Sequence, residues 1–214
     1  MIDETHPYEF LKSIFELHPS MEVHFSKYVY KPDSLFDERY IFKIGADKVS
    51  NTWLKSVVGN LKSDEELALH SNVLLGGRTL HIPMIDFSRK ENLDAVAVER
   101  LGYFVAKNII RQMEYFSSGR SFHGYSTCLV RPKEWRQFNG RLLLVNSSDS
   151  PDIIDARWVG HRLIAGYSSL RWSCNTKQYT GYPVRICSNT YGRASGYVGE
   201  NGKKAMNEEL QLEL

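Results

Sequence analysis

The chain has 214 residues, 42% of them hydrophobic and 24% charged, which suits one globular domain of good size and excludes a disordered or fibrous class. A formal net charge of +2 gives no compositional argument for nucleic acid, and no apolar run is long enough to cross a bilayer. Three widely spaced cysteines, Cys128, Cys174 and Cys187, argue against a zinc ribbon and a disulfide framework, and read as buried thiols in a reducing, cytoplasmic setting.

In chain order, the acidic and amphipathic start MIDETHPYEFLKSIFEL is the opposite of an export signal, and its apolar positions Tyr8, Leu11, Ile14, Phe15 and Leu17 predict a helix. Alternation from Met21 to Tyr30 predicts a strand, KPDS a loop, and RYIFKIG a second strand. SNTWLKSVVGNL and SDEELALHS both read as short helices, the second capped by Ser63. NVLLGG and TLHIPMIDFS then form a hairpin across Gly-Gly. The longest expected helix runs over 92–116, capped by Asn92, with Leu93, Ala97, Leu101, Asn108 and Met113 near one face. SFHGYSTCLV reads as a strand, RPKEWRQFNG as a helix, and RLLLVN as either. PDIIDARWVGHRLIAG mixes a strand start with a helix, and SSLRWSCNTKQYTGYPVRIC reads as strands or loops. This order predicts an α+β domain with an antiparallel or mixed sheet, not a doubly wound parallel one. One domain over 1–214 is expected, divided into an N-terminal α/β unit over about 1–72, a motif-bearing core over about 73–190 and a polar tail over 191–214.

Three positions at strand-like ends carry the chemistry. Asp86 trails the apolar run in HIPMIDFS, and Asp155 trails Ile153 and Ile154. A carboxylate there can meet a hard cation where the strand leaves the core, although aspartate equally starts turns and caps helices. Between them, His123 follows Ser-Gly-Arg, whose backbone N–H groups can form a nest for an anion. Arginines concentrate from Arg111 onward, among them Arg120, Arg162 and Arg171; guanidinium groups hold phosphates well and also serve plain solubility. Neither a P-loop nor a G-x-G-x-x-G pattern is present.

Taken in order, apolar-Asp, a long helix, Ser-Gly-Arg-x-x-His, apolar-Asp and Leu-Arg resembles the archaeo-eukaryotic primase (primase–polymerase) superfamily, in particular its small primase 1D-like members. The residues concerned are PMIDFS, SFH, IIDA and LRWSCNTK, within about 73–180. The resemblance implies an RRM-like sheet packed on helices beside a second small α/β unit. It also implies metal-dependent nucleotidyl transfer on a single-stranded DNA or RNA template. Asp86 and Asp155 would then be catalytic and bind Mg²⁺ or Mn²⁺. Arg120, Ser121, His123, Arg162, Arg171 and Lys177 would contact nucleotide or template. A helicase or another replication or defence protein would be a partner, and no membrane is implied.

One position departs from the family pattern. Where a second carboxylate is expected two residues after Asp86, this chain has Ser88, a neutral and poor metal ligand. Glu91, Asp94 and Asp152 are near in sequence and are candidates to replace it. The departure keeps a second reading open: a primase fold that has lost polymerisation and binds nucleotide, or single strands on Trp135, Trp158 and Trp172. Those tryptophans equally suit core packing. A metal-dependent nuclease is a third reading, disfavoured by the lack of a dense ligand cluster.

Overall fold

The structure, a computed structural model, describes residues 2–31, 34, 38–89 and 93–186. Glu91, Asn92, Cys187, Pro32 and Asp33 of KPDS, and the 191–214 tail lie outside these. Helix α1, Pro7–Leu17, starts on a proline and is capped by His6, whose Nδ1 accepts from Tyr8 N at 3.0 Å. It buries Leu11, Ile14 and Phe15 as the spacing predicts, and Phe10 with them, but Tyr8 is half-buried and Leu17 is exposed at the helix end. Strands β1 (Glu22–Val29) and β2 (Arg39–Gly45) form an antiparallel pair, and α2 (Asn51–Gly59) is capped by Ser50 Oγ accepting from Trp53 N.

Residues 63–71 are not helical. Ser63 and Asp64 form a turn, and the rest belong to β3, Glu65–Leu75, which is the hub of the first sheet. Glu-Glu-Leu-Ala-Leu has high helix propensity, but here both faces of the segment are buried. Leu67 and Leu69 face the main core, while Glu66, Ala68 and His70 are buried opposite. Tertiary pairing overrides propensity. Strand β1 pairs along one edge of β3; β4 (Arg78–His81) and the late strand β8 (Ser169–Arg171) share the other. Gly76 and Gly77, at φ 55° and 74°, make the β3–β4 turn.

The expected single strand TLHIPMIDFS is broken at Ile82–Pro83, because Pro83 cannot donate to a ladder. The chain thereby passes from the first sheet to a second one, built in the order β5-β7-β6-β9 from β5 (Met84–Asp86), β6 (Met113–Ser117), β7 (Phe122–Ser126) and β9 (Val184–Arg185). All pairings in both sheets are antiparallel.

The helix expected over 92–116 is three elements: α3 (Ala95–Phe104), α4 (Lys107–Arg111) and β6. Asp94 caps α3, its Oδ1 accepting from Ala97 N at 2.8 Å. Val105 turns extended at φ −102° and ψ 139°, and Met-Glu-Tyr-Phe-Ser then finds β7 as a partner. Helical spacing alone does not separate these, since the apolar positions stay in phase across the break. Helix α5 (Pro132–Leu143) takes in the first half of RLLLVN, and α6 (Ala156–Ala165) ends on Gly166 at φ 80°.

The second sheet is buried on both faces. Met84, Phe116 and Tyr125 join the core with α1, α2 and the first sheet; Ile85, Phe87 and Met113 join the core under α3–α6. Trp135 and Trp172 are core residues, whereas Trp158 is half-buried. Cys128 and Cys174 are free and half-buried, more exposed than the sequence predicts. Among the described residues, no helix is long and apolar enough to cross a membrane.

Candidate functional site

The antiparallel register of β5 and β7 sets Asp86 directly opposite His123. Cross-strand partners project to the same face. His123 Nε2 lies 3.9 Å from Asp86 Oδ1. Asp155 is brought alongside by a short extended segment, which bridges Ile154 to Phe87 and places Asp155 N 3.0 Å from Asp86 O. Ser88 N donates to Ile153 O at 2.9 Å in the same pairing. Three residues far apart in sequence thus meet at the end of β5, where the two sheets part.

They line a cleft of about 490 Å³, together with Ser88, Ser118, Arg120, Ser121, Arg162 and Arg171. Of the residues singled out in the sequence, Lys177 is not in that lining; it is exposed on the loop after β8. Several lining residues have no counterpart in the motif reading: Tyr28, Tyr30, Lys31, Arg39, Arg157, His161 and Tyr179. The available signal was weak. Tyr28 and Tyr30 alternate at the end of β1, and Arg157 and His161 stand one helical turn apart behind Asp155. The candidates to replace the absent carboxylate do not do so within the described residues: Asp94 caps α3 and Asp152 lies outside the lining.

Burial and the facing Asp155 push Asp86 up to about 8, against the pull of Arg171, Arg162 and Arg120. Burial, reinforced by Arg171, takes His123 down to about 3. The imidazole is therefore neutral, so its approach to Asp86 is not an ion pair, and its Nδ1 is buried without a hydrogen-bond partner among the described residues. Asp155 also caps α6, its Oδ1 accepting from Trp158 N at 2.8 Å. The capping role and the cleft position coexist in one side chain.

The arginines differ in how far they are committed. Arg171 is buried; it donates to the carbonyls of Ser173, Gly181 and Ser118 and stacks 3.9 Å from the Tyr179 ring centre. Arg162, also buried, donates to Ser169 Oγ at 2.6 Å. Arg120 is exposed on the turn between β6 and β7. That turn is held from across the seam, by Arg171 on Ser118 O and by Thr180 Oγ1 donating to Gly119 O at 2.8 Å. Gly119 has φ 84°, and a Cβ there would lie 3.0 Å from Thr180 Oγ1.

The cleft lining carries Lys31, Arg39, Arg120, Arg157, Arg162 and Arg171 against Asp86 and Asp155, so it favours a polyanion with one negative notch at its floor. Asp86 and Asp155, with Ser88 beside them, are the oxygen donors that could hold a hard cation there. Among the described residues, no group of three or more His, Cys, Asp or Glu side chains is placed as a metal site.

A family model described as "AEP-like: Archaeo-eukaryotic primase 1D-like" matches residues 45–184, well over half of the chain and every cleft residue from Asp86 to Tyr179. Neither a curated protein nor a solved structure matches. With its three motif residues gathered at one cleft and the family model spanning them, the chain belongs to the archaeo-eukaryotic primase 1D-like family.

Proposed function

We propose that this protein is a metal-dependent nucleotidyltransferase of primase or primase–polymerase type, acting on a single-stranded template. In this reading the second sheet with its helices is the RRM-like half, and the first sheet with α1 and α2 is the accompanying α/β unit. The observation that supports it most is the convergence of Asp86, His123 and Asp155 in one cationic cleft.

Asp86 and Asp155 would hold a Mg²⁺ or Mn²⁺ ion, whose charge would neutralise phosphate oxygens and favour ionisation of a 3′-hydroxyl. A cation is chemically suited to this pair, because it would relieve the repulsion that raises Asp86. Neutral His123 orients by hydrogen bonding, not by charge, and Ser121 lies two residues before it at the turn. Arg120, exposed and less committed than Arg171, is the side chain most able to follow a phosphate chain.

A second reading is supported by Ser88. With a neutral hydroxyl in the cleft where a carboxylate is expected, the protein would bind nucleotide or single strands without polymerising. Incorporation on primed and unprimed single-stranded DNA, with Mg²⁺ and with Mn²⁺, separates the two. Extension abolished by both Asp86→Asn and His123→Ala supports the enzyme. No extension by a folded wild type that still binds a nucleoside triphosphate supports the binding protein.

A further inference from the structure

The side of the cleft made by the first sheet is aromatic. Tyr28 and Tyr30 stand at the end of β1, and Tyr179 comes from the loop after β8. The rings of Tyr30 and Tyr179 lie 5.9 Å apart at 56°, both half-buried. The Arg120 guanidinium sits 5.9 Å from each ring centre. A phosphate chain gripped at Arg120 and the neighbouring turn would therefore carry whatever it is attached to onto these rings.

Tyr179 is fixed, although it sits on a loop. Arg171 stacks on it, and its hydroxyl hydrogen-bonds the buried Tyr28. The loop itself is tied to Glu66, a fully buried carboxylate that accepts from Ser173 Oγ, from Thr176 N and Oγ1 at 2.7 Å each, and from Asn175 N at 3.0 Å. A loop of this length tied at so many points presents its aromatic side chain without further ordering, and preorganisation of this kind is what a stacking surface needs. Half-buried phenol rings lining a strongly cationic cleft suit a ligand that is anionic at one end and flat at the other.

We propose that Tyr30 and Tyr179 form the base-stacking platform of this cleft, so that the ligand is a nucleoside triphosphate whose heterocycle is held by ring faces. Such a platform accepts any base, because every base has a π-face, and it favours purines by their larger area. The proposal rests on the nucleotide reading above and adds which part of the ligand meets which wall.

The test is calorimetric titration of the full chain, in the presence of Mg²⁺, with ATP and with inorganic tripolyphosphate. Wild type is compared with Tyr30→Leu, Tyr179→Leu, Tyr30→Phe and Tyr179→Phe. Loss of stacking predicts that the leucine variants weaken ATP about tenfold. Tripolyphosphate binding should stay within about twofold of wild type, and the phenylalanine variants should keep ATP affinity, since the ring face is retained. Tyr179 also supports Arg171, so the tripolyphosphate arm reads out any indirect effect. An equal loss for both ligands, no loss for either, or a wild type that binds tripolyphosphate as tightly as ATP overturns the platform without overturning the phosphate-binding cleft. A wild type that binds neither ligand overturns the nucleotide reading together with it.

Discussion

Asp155 does two things with one carboxylate, and the two can be separated by substitution. Asp155→Asn keeps an oxygen for Trp158 N and removes the charge that opposes ionisation of Asp86. It should fold at least as stably as wild type in urea titrations while losing divalent-cation binding. Asp155→Ala removes the cap as well and should cost about 1 kcal/mol. Equal stability of the two variants would show that the cap contributes nothing. Ser88→Asp tests the family departure in the other direction: it should tighten Mn²⁺ binding and destabilise the cation-free protein, because a third carboxylate joins a pair already in conflict. At this scale the sequence was informative. Asp86, His123 and Asp155 were legible because each sits at a strand-like end in a recognisable order. Tyr179 was not, since no periodicity marks a loop residue whose place depends on Glu66 and Arg171, 113 and 8 positions away in the chain.

Among the elements, the β6–β7 turn is the one whose geometry comes from outside itself. Its carbonyls at Ser118 and Gly119 are held by Arg171 and Thr180 from the first-sheet side. Gly119→Ala forces a side chain into the left-handed region, at a cost of about 1–2 kcal/mol. It also presses on Thr180 Oγ1. Triphosphate affinity should fall, and amide exchange at Ser118–Ser121 should rise while exchange in β7 is unchanged. Glu66→Gln places an amide donor among N–H and O–H donors and should destabilise by about 2 kcal/mol, with the same rise in exchange at a turn it does not touch. Unaltered exchange at the turn would refute the coupling. The elements most misread from sequence are the ones governed by such distant partners. Strand β3 has helical propensity but is claimed by β1, β4 and β8 on its two edges. Strand β6 continues a helical spacing but is claimed by β7. By contrast, α1, α2 and α5 carry their own caps and apolar stripes and were legible locally.

The whole molecule should be sensitive to acid. Burial lowers His6 and His81 from the usual 6.5 to about 4, and His123 to about 3. These groups are neutral when folded, so the unfolded chain binds more protons below pH 6.5. Their contribution is complete above that value and is lost as pH falls through it toward the folded values, at up to about 1.4 kcal/mol per pH unit for each histidine. His6→Asn keeps a good capping residue and removes one titrating site, so its stability should fall less steeply between pH 6.5 and pH 4 in urea titrations. Parallel slopes would refute the assignment. Asp86 works in the opposite sense: held above its usual 3.8, it takes stability away as pH rises toward about 8. A bound divalent cation should flatten that alkaline side.

The return of β8 to the first sheet has a consequence for synthesis. Its three residues pair with Ala68, Leu69 and His70, laid down about a hundred residues earlier. Until they emerge, β3 has an unsatisfied edge, and neither Arg171 nor Tyr179 exists to complete the cleft. A nascent chain therefore lacks part of the cleft wall until translation reaches the far end of the matched region. Chains that stall early would present an open strand to their neighbours, not a finished cleft.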